Sequence, residues 1–108
     1  PGGSTNTLSR KYGGSSIMKS LVAQAGEKGY RYVDWNVCAE DAAGGHPSAE
    51  DVFRNVVKGA EGKTVCVVLM HDTKATRKTT AAALPDIIDW FKEQGYRFCR
   101  IDELDRQV

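Results

Sequence analysis

Residues 65–70 read VCVVLM, six consecutive positions without a charge or a hydroxyl. Such a run has no polar face to offer water, so it does not suit the wet side of an antiparallel sheet. It fits a strand of parallel sheet whose two faces are both covered. The run stops abruptly at His71 and Asp72. A fold for this chain must therefore place an apolar strand inside a sheet and a titratable pair at that strand's carboxyl end.

The flanking segments supply what would cover it. Ile17, Met18, Leu21, Val22 and Ala25 recur at helical spacing, predicting an amphipathic helix stopped by Gly26 and Gly29. Residues 30–37 (YRYVDWNV) have the aromatic and β-branched character of a strand. Ser48 followed by Asp51 predicts a capping box, with Asp in place of the usual Glu, ahead of the stripe Val52, Phe53, Val56, Val57 and Ala60, which closes at Gly59 and Gly62. Residues 64–70 form the second predicted strand. A third helix is expected to begin between Thr79 and Pro85, to carry Leu84, Ile87, Ile88 and Phe91 on one face and to end at Gly95, before a last strand over 96–101.

Residues 1–16, rich in Gly, Ser, Thr and Asn without a period, read as loop. The remainder, 17–108, is three helix–strand units joined by short glycine links, the rhythm of an α/β fold with parallel strands. EKGYRYVD at 27–34 and EQGYRFCRID at 93–102 echo each other as two similar helix-to-strand turns. Three strands are few for a sheet covered on both sides. Open edges predict either a homodimer formed through them or membership of something larger.

Composition narrows the function classes. In 108 residues, 15 basic and 14 acidic side chains leave a net charge of +1, with no cationic block dense enough to follow a phosphate backbone, so nucleic acid is not an expected partner. No apolar run approaches the roughly 18 residues of a membrane span. Residue 1 onward lacks a basic-then-apolar targeting pattern, so no membrane contact is expected of this segment. Cys38, Cys66 and Cys99 are widely spaced and odd in number, which fits small buried apolar residues better than a disulfide framework or a zinc knuckle.

Loops leaving the carboxyl ends of parallel strands converge on one rim, where α/β folds gather their ligands. His71 and Asp72 stand at that rim after the second strand, and NVCAED at 36–41 after the first. Asp41 and His71 are therefore placed to meet, and a carboxylate beside an imidazole favours its charged form and a proton-donor role. Spacing alone favours a loop cap for His71 and a core residue for Trp35, and leaves Asp34 and Asp102 as solvated strand-end charges and His46 as a loop residue before a helix cap. His46 and His71 are the only histidines and lie 25 positions apart, too far to be two ligands on one helical face, so no metal site is predicted.

Four stretches, in order, carry a resemblance: PGGSTNT at 1–7, DWNVCAEDA at 34–42, VVLMHD at 67–72 and LPDIIDWFKEQGYRF at 84–98. Together they resemble the closing motifs of the polysaccharide deacetylase family, carbohydrate esterase family four, with the PGGS opening and the DWN triplet most similar to its bacterial peptidoglycan N-acetylglucosamine deacetylases. The resemblance implies a hydrolase on a deformed (β/α) barrel, dependent on a divalent metal such as zinc or cobalt, acting on a polysaccharide that contains N-acetylglucosamine. It assigns His71 as the acid that protonates the departing amine and Asp41 as the aspartate that tunes it. Leu69 would line the pocket for the acetyl methyl, Gly2 would offer a backbone N–H to the oxyanion, and Trp35 would face the sugar.

The chain also departs from the family pattern. Ala42 stands where many members carry tryptophan, and Gly2 where many carry tyrosine, which reshapes the sugar-facing wall. The family's base, its His-x-x-x-His metal motif and its arginine precede the PGGS stretch and have no counterpart here. The chain is therefore expected to be a partial polysaccharide deacetylase domain, the C-terminal half of the barrel over 1–108, inactive alone and without a metal of its own. Its parent would act extracellularly or at the cell envelope. The alternative is a catalytically silent α/β module that self-associates or assembles with another chain.

Overall fold

The computed structural model describes residues 2–108; Pro1, the first residue of the PGGS motif, lies outside the described residues. The capping box predicted at Ser48 is present. Its hydroxyl accepts from the Asp51 N–H at 3.1 Å and the Asp51 carboxylate accepts from the Ser48 N–H at 3.0 Å. That exchange satisfies donors at the first turn of a helix spanning Ala49–Ala60, here α3. Val52, Val56 and Ala60 recur every four residues along it, and all three are buried.

Two helices precede it, α1 over Arg10–Gly13 and α2 over Ile17–Glu27. Two strands, β1 at Val37–Cys38 and β2 at Val68–Leu69, pair in parallel with Val37 opposite Val68 and Cys38 opposite Leu69. The last α-helix, α4, covers Arg77–Glu93, and a short 3-10 helix follows at Ile101–Glu103.

These elements form two compact units. The first holds the residues up to Asp34 together with Gln107. In it the Ser4 backbone N–H donates to Asp34 Oδ1 at 2.8 Å, the Ser4 hydroxyl donates to the other carboxylate oxygen, and Gln107 donates to the Tyr32 carbonyl at 2.6 Å. The expected helix of residues 17–25 extends to Glu27, and Gly26 lies inside it; Gly29, with φ +81°, makes the exit turn. Residues 1–16, read as loop, contain α1.

The second unit, Trp35–Arg106 with Val108, contains the core: Val37, Ala39, Val52, Val56, Ala60, Ala83, Ile87 and Phe91. In β2 and its approach, Cys66, Val68 and Met70 pack against that core, as the two-residue alternation of a strand requires. Residues 65, 67 and 69 fall on the opposite face, and the whole run from 65 to 70 is half-buried rather than covered on both sides. β1 is the one strand paired with β2 among the described residues.

The sheet is smaller than the sequence predicts. Of residues 30–37 only Val37 enters a strand, and residues 96–101 form none. Several of their apolar side chains stand exposed instead, with Tyr30 at 70%, Phe98 at 55% and Ile101 at 60%. A strand exists only where a neighbour meets its N–H and C=O groups. Asn36 shows how far local chemistry substitutes for one. Its side-chain amide donates to the Val65 carbonyl and its side-chain oxygen accepts from the Val67 N–H, both at 2.8 Å, extending the ladder by one position.

α4 begins at Arg77, ahead of the predicted window from Thr79 to Pro85, because a turn at Thr73 supplies its first carbonyls: the Thr76 and Arg77 N–H groups both donate to the Thr73 oxygen. Pro85 therefore lies inside the helix and deprives the Ala81 carbonyl of its usual donor. The buried face runs through Thr80, Ala83, Ile87 and Phe91. Leu84, expected on that face, is exposed. Cys99 is exposed and Cys38 and Cys66 are half-buried, so the reading of all three as buried apolar residues is corrected.

One close approach invites a test. A Cβ placed on Gly59 would lie 2.9 Å from Val37 Cγ1, a fully buried and β-branched side chain with little freedom to move. Gly59→Ala should therefore forfeit the roughly 1 kcal/mol that alanine normally gains over glycine in a helix. The overpacking costs about 1–3 kcal/mol, so the change destabilises. Urea melts of Gly59→Ala, with and without Val37→Ala to open space, check this: the double variant should recover part of the loss.

Candidate active site

The site is assembled where β1 and β2 end. Beyond β1, the Ala39 N–H donates to the Leu69 carbonyl at 3.1 Å, so the pairing holds up to the loop. Ala39 is fully buried and its carbonyl accepts from the Asn55 side chain of α3 at 3.2 Å. Glu40 then adopts φ +54°, a left-handed conformation unusual for a residue with a Cβ, and reverses the chain. Asp41 follows, 5% exposed, its carboxylate turned toward the residue after β2.

That residue is His71. Its ring Nδ1 lies 2.8 Å from Asp41 Oδ1, and its backbone N–H donates to Asp41 Oδ2 at 2.6 Å. The Thr80 hydroxyl donates to the same Oδ2 at 2.8 Å. Burial by itself pushes the Asp41 carboxyl up, but the bonds from the His71 ring, the His71 N–H and Thr80 outweigh it, and the net pKa lies below the ordinary carboxylate value. Asp41 is thus held as a carboxylate, which only accepts. His71 Nδ1 must then carry a proton, and the ring's second nitrogen, Nε2, is left facing away from the pair. The side chain is 37% exposed, so the imidazole is not sealed from solvent.

Beside it lies a shallow hollow of about 480 Å³ lined by Met70, His71, Asp72, Arg77, Thr80 and Leu84 among others. The Thr76 hydroxyl of the residue before α4 donates to the His71 carbonyl at 2.9 Å, so the histidine is fixed at its ring, its N–H and its C=O.

Asp41 and His71 are brought together as their positions on the rim imply. Leu69 lies in β2 opposite Cys38 and is half-buried, on the strand face that points away from the α3 and α4 core. Trp35 is half-buried just before β1. Gly2 belongs to the first unit and takes φ +78°, where a Cβ would touch Asn6. His46 is exposed in the loop before α3, with φ +51°.

Sequence reasoning missed Thr80 and Thr76, which bond Asp41 and His71 from α4 and the residue before it, and Asn55, which bonds Ala39 on the approach to Asp41. In sequence they are unremarkable hydroxyls and an amide on helical segments, and only their partners distinguish them. Among the described residues, no three His, Cys, Asp or Glu side chains converge as a cation would require, so the described residues do not form the divalent-metal site that the resemblance implies for the complete domain.

Parallel strands carrying a buried carboxylate and a partly exposed imidazole at their carboxyl ends have the α/β arrangement in which ligands are gathered on that rim. Comparison with known proteins sharpens that class, although no family model matches the chain. A peptidoglycan N-acetylglucosamine deacetylase of Bacillus cereus is 37% identical over 93 residues, covering 86% of this chain and 43% of the relative. Peptidoglycan N-acetylglucosamine deacetylase PgdA of Listeria monocytogenes is 40% identical over 80 residues, covering 74% and 16%. The crystal structure of the catalytic domain of a Eubacterium rectale peptidoglycan N-acetylglucosamine deacetylase superposes with a TM-score of 0.84 at 40% identity, over 94% of this chain and 44% of that one. A Streptococcus mutans CE4 esterase gives 0.66 at 31% identity, over 76% and 37%. The chain belongs to the polysaccharide deacetylase family and spans less than half the length of these relatives.

Among the described residues, no helix is long and apolar enough to cross a membrane.

Proposed function

We infer that this chain supplies the acid side of an amide-hydrolysing site that removes N-acetyl groups from an aminosugar polymer, with peptidoglycan the substrate named for relatives it is similar to. One observation carries the reading: Asp41 Oδ1 lies 2.8 Å from Nδ1 of a His71 side chain that is itself 37% exposed. As the C–N bond of the acetamido group breaks, the departing nitrogen needs a proton. The protonated ring gives it from Nε2, while Asp41 holds the ring in place and stabilises its charged form. Leu69, on the same strand face as His71 by alternation, is assigned to the acetyl methyl, and Trp35 to the sugar. A deacetylase acting on cell-wall glycan works at the cell envelope or outside the cell.

The base and the metal ligands that the resemblance implies are not among the residues of this chain. The chain alone is therefore expected to release no acetate from N-acetylglucosamine oligomers, with zinc or cobalt added. Exchanging it for the matching segment of the Eubacterium rectale catalytic domain should yield an active chimaera. Acetate release by the isolated chain would overturn its assignment as the acid side only. A folded but inactive chimaera would overturn the deacetylase reading.

A further inference from the structure

The Asp41–His71 pair is restrained from outside itself, and the restraint on Asp41 comes from α4. Thr80 lies on the buried face of α4, 9% exposed. A threonine inside a helix ordinarily turns its hydroxyl back to the carbonyl four residues earlier. That carbonyl, on Thr76, already accepts the Thr80 N–H at 2.9 Å, and the Thr80 hydroxyl is directed across to Asp41 Oδ2 at 2.8 Å. Oδ2 thereby receives two donors, Thr80 and the His71 N–H, and the remaining oxygen, Oδ1, is the one left for the ring.

Two donors on one oxygen fix the rotation of the carboxylate about its bond to the chain. With a single donor the group can turn and present either oxygen, or neither, to the imidazole. One turn earlier, Thr76 is 6% exposed and its hydroxyl donates to the His71 carbonyl. Residues 76 and 80 are four apart and so share one side of the helical turn. That side therefore grips both members of the pair, the histidine by its backbone and the aspartate by its carboxylate.

We propose that Thr80 is a positioning residue for the proton donor: its hydroxyl locks the Asp41 carboxylate so that His71 keeps its proton on Nδ1 and presents Nε2 outward. A neutral imidazole has two tautomers, and the one that turns Nε2 toward substrate is selected only while an acceptor faces Nδ1. The catalytic consequence of the lock rests on the deacetylase reading, whereas the lock itself is a property of the chain and is measured without activity.

The test is the ¹⁵N spectrum of the two histidine rings in the full chain, with His46→Gln used to assign His71. In the unsubstituted chain the neutral His71 ring should be mainly the Nδ1–H form. Thr80→Val keeps the shape and removes the donor, and should lower the ratio of Nδ1–H to Nε2–H tautomer by roughly threefold to tenfold. Thr80→Ser should restore it. If Thr80→Val loses its helical circular dichroism, Thr80→Ala against Thr80→Ser makes the same comparison. An unchanged tautomer ratio in the valine or alanine variant overturns the proposal. So does a folded serine variant that fails to restore the ratio, since packing of the threonine methyl is then responsible.

In the active chimaera, Thr80→Val should lower kcat by about tenfold with KM unchanged, and Thr80→Ser should recover it. A tautomer shift without any loss of kcat would overturn the catalytic role of His71 while leaving the lock standing.

Discussion

Replacing His71 with asparagine in the deacetylase chimaera lowers kcat by roughly 10² to 10⁴ and leaves KM within a few-fold. Asparagine keeps a polar side chain of similar reach toward Asp41 but has no proton to give at neutral pH, so the loss falls on the step in which the amine departs. Because the ring is held through Nδ1, and the backbone N–H and C=O of the same residue are separately bonded, the substitution is not expected to collapse the rim. Steady-state acetate release from N-acetylglucosamine oligomers, read as kcat and KM separately, measures it. A kcat within twofold of the parent would reduce His71 to a loop cap. A loss confined to KM would make it a substrate contact rather than an acid.

Asp41→Asn has its largest effect on the stability of the chain and on its response to acid. Three donors converge on the carboxylate, and asparagine offers one acceptor oxygen and an NH₂ group that must face at least one of those donors. A buried site left mismatched in this way costs about 2–4 kcal/mol near neutral pH. Folding lowers the pKa of Asp41 below its ordinary value of 3.8, so the native state favours the charged form. Its stabilisation is complete above that value and is lost as the pH falls through the lower native one. The gap between parent and variant should therefore be full at pH 7 and narrow below pH 3.8. Urea unfolding followed by Trp35 and Trp90 fluorescence at pH 7 and pH 3 gives both numbers. A gap that stays constant across that range would mean that the carboxylate charge contributes nothing to the fold.

The two predictions draw on different parts of what could be read in advance. The meeting of Asp41 with His71 was legible because both stand at the carboxyl ends of parallel strands, and in such sheets that rim is shared. The chemistry assigned to them came from the motifs, since a histidine after a strand is by spacing alone a better candidate for a cap than for an acid. Thr80 and Thr76, which hold the pair, and Asn55, which holds Ala39 beside it, carried no sequence signal, because a hydroxyl or amide acquires a role only when a distant partner is folded against it. Thr80 is 39 positions from the carboxylate it restrains.

What the amino-acid sequence decided by itself is local: the capping box at Ser48, the stripe of Val52, Val56 and Ala60, and the left-handed exit turns at Gly29 and Gly95. Each depends on neighbours within one or two turns of chain, so composition and spacing suffice. Only the tertiary structure decided which apolar runs became strands. Residues 30–36 and 96–101 have strand-forming side chains yet enter no strand among the described residues, whereas Val37–Cys38 and Val68–Leu69 found each other. The physical reason is that a helix closes its hydrogen bonds within its own chain segment, while a strand must borrow them from a neighbour that its own sequence cannot specify.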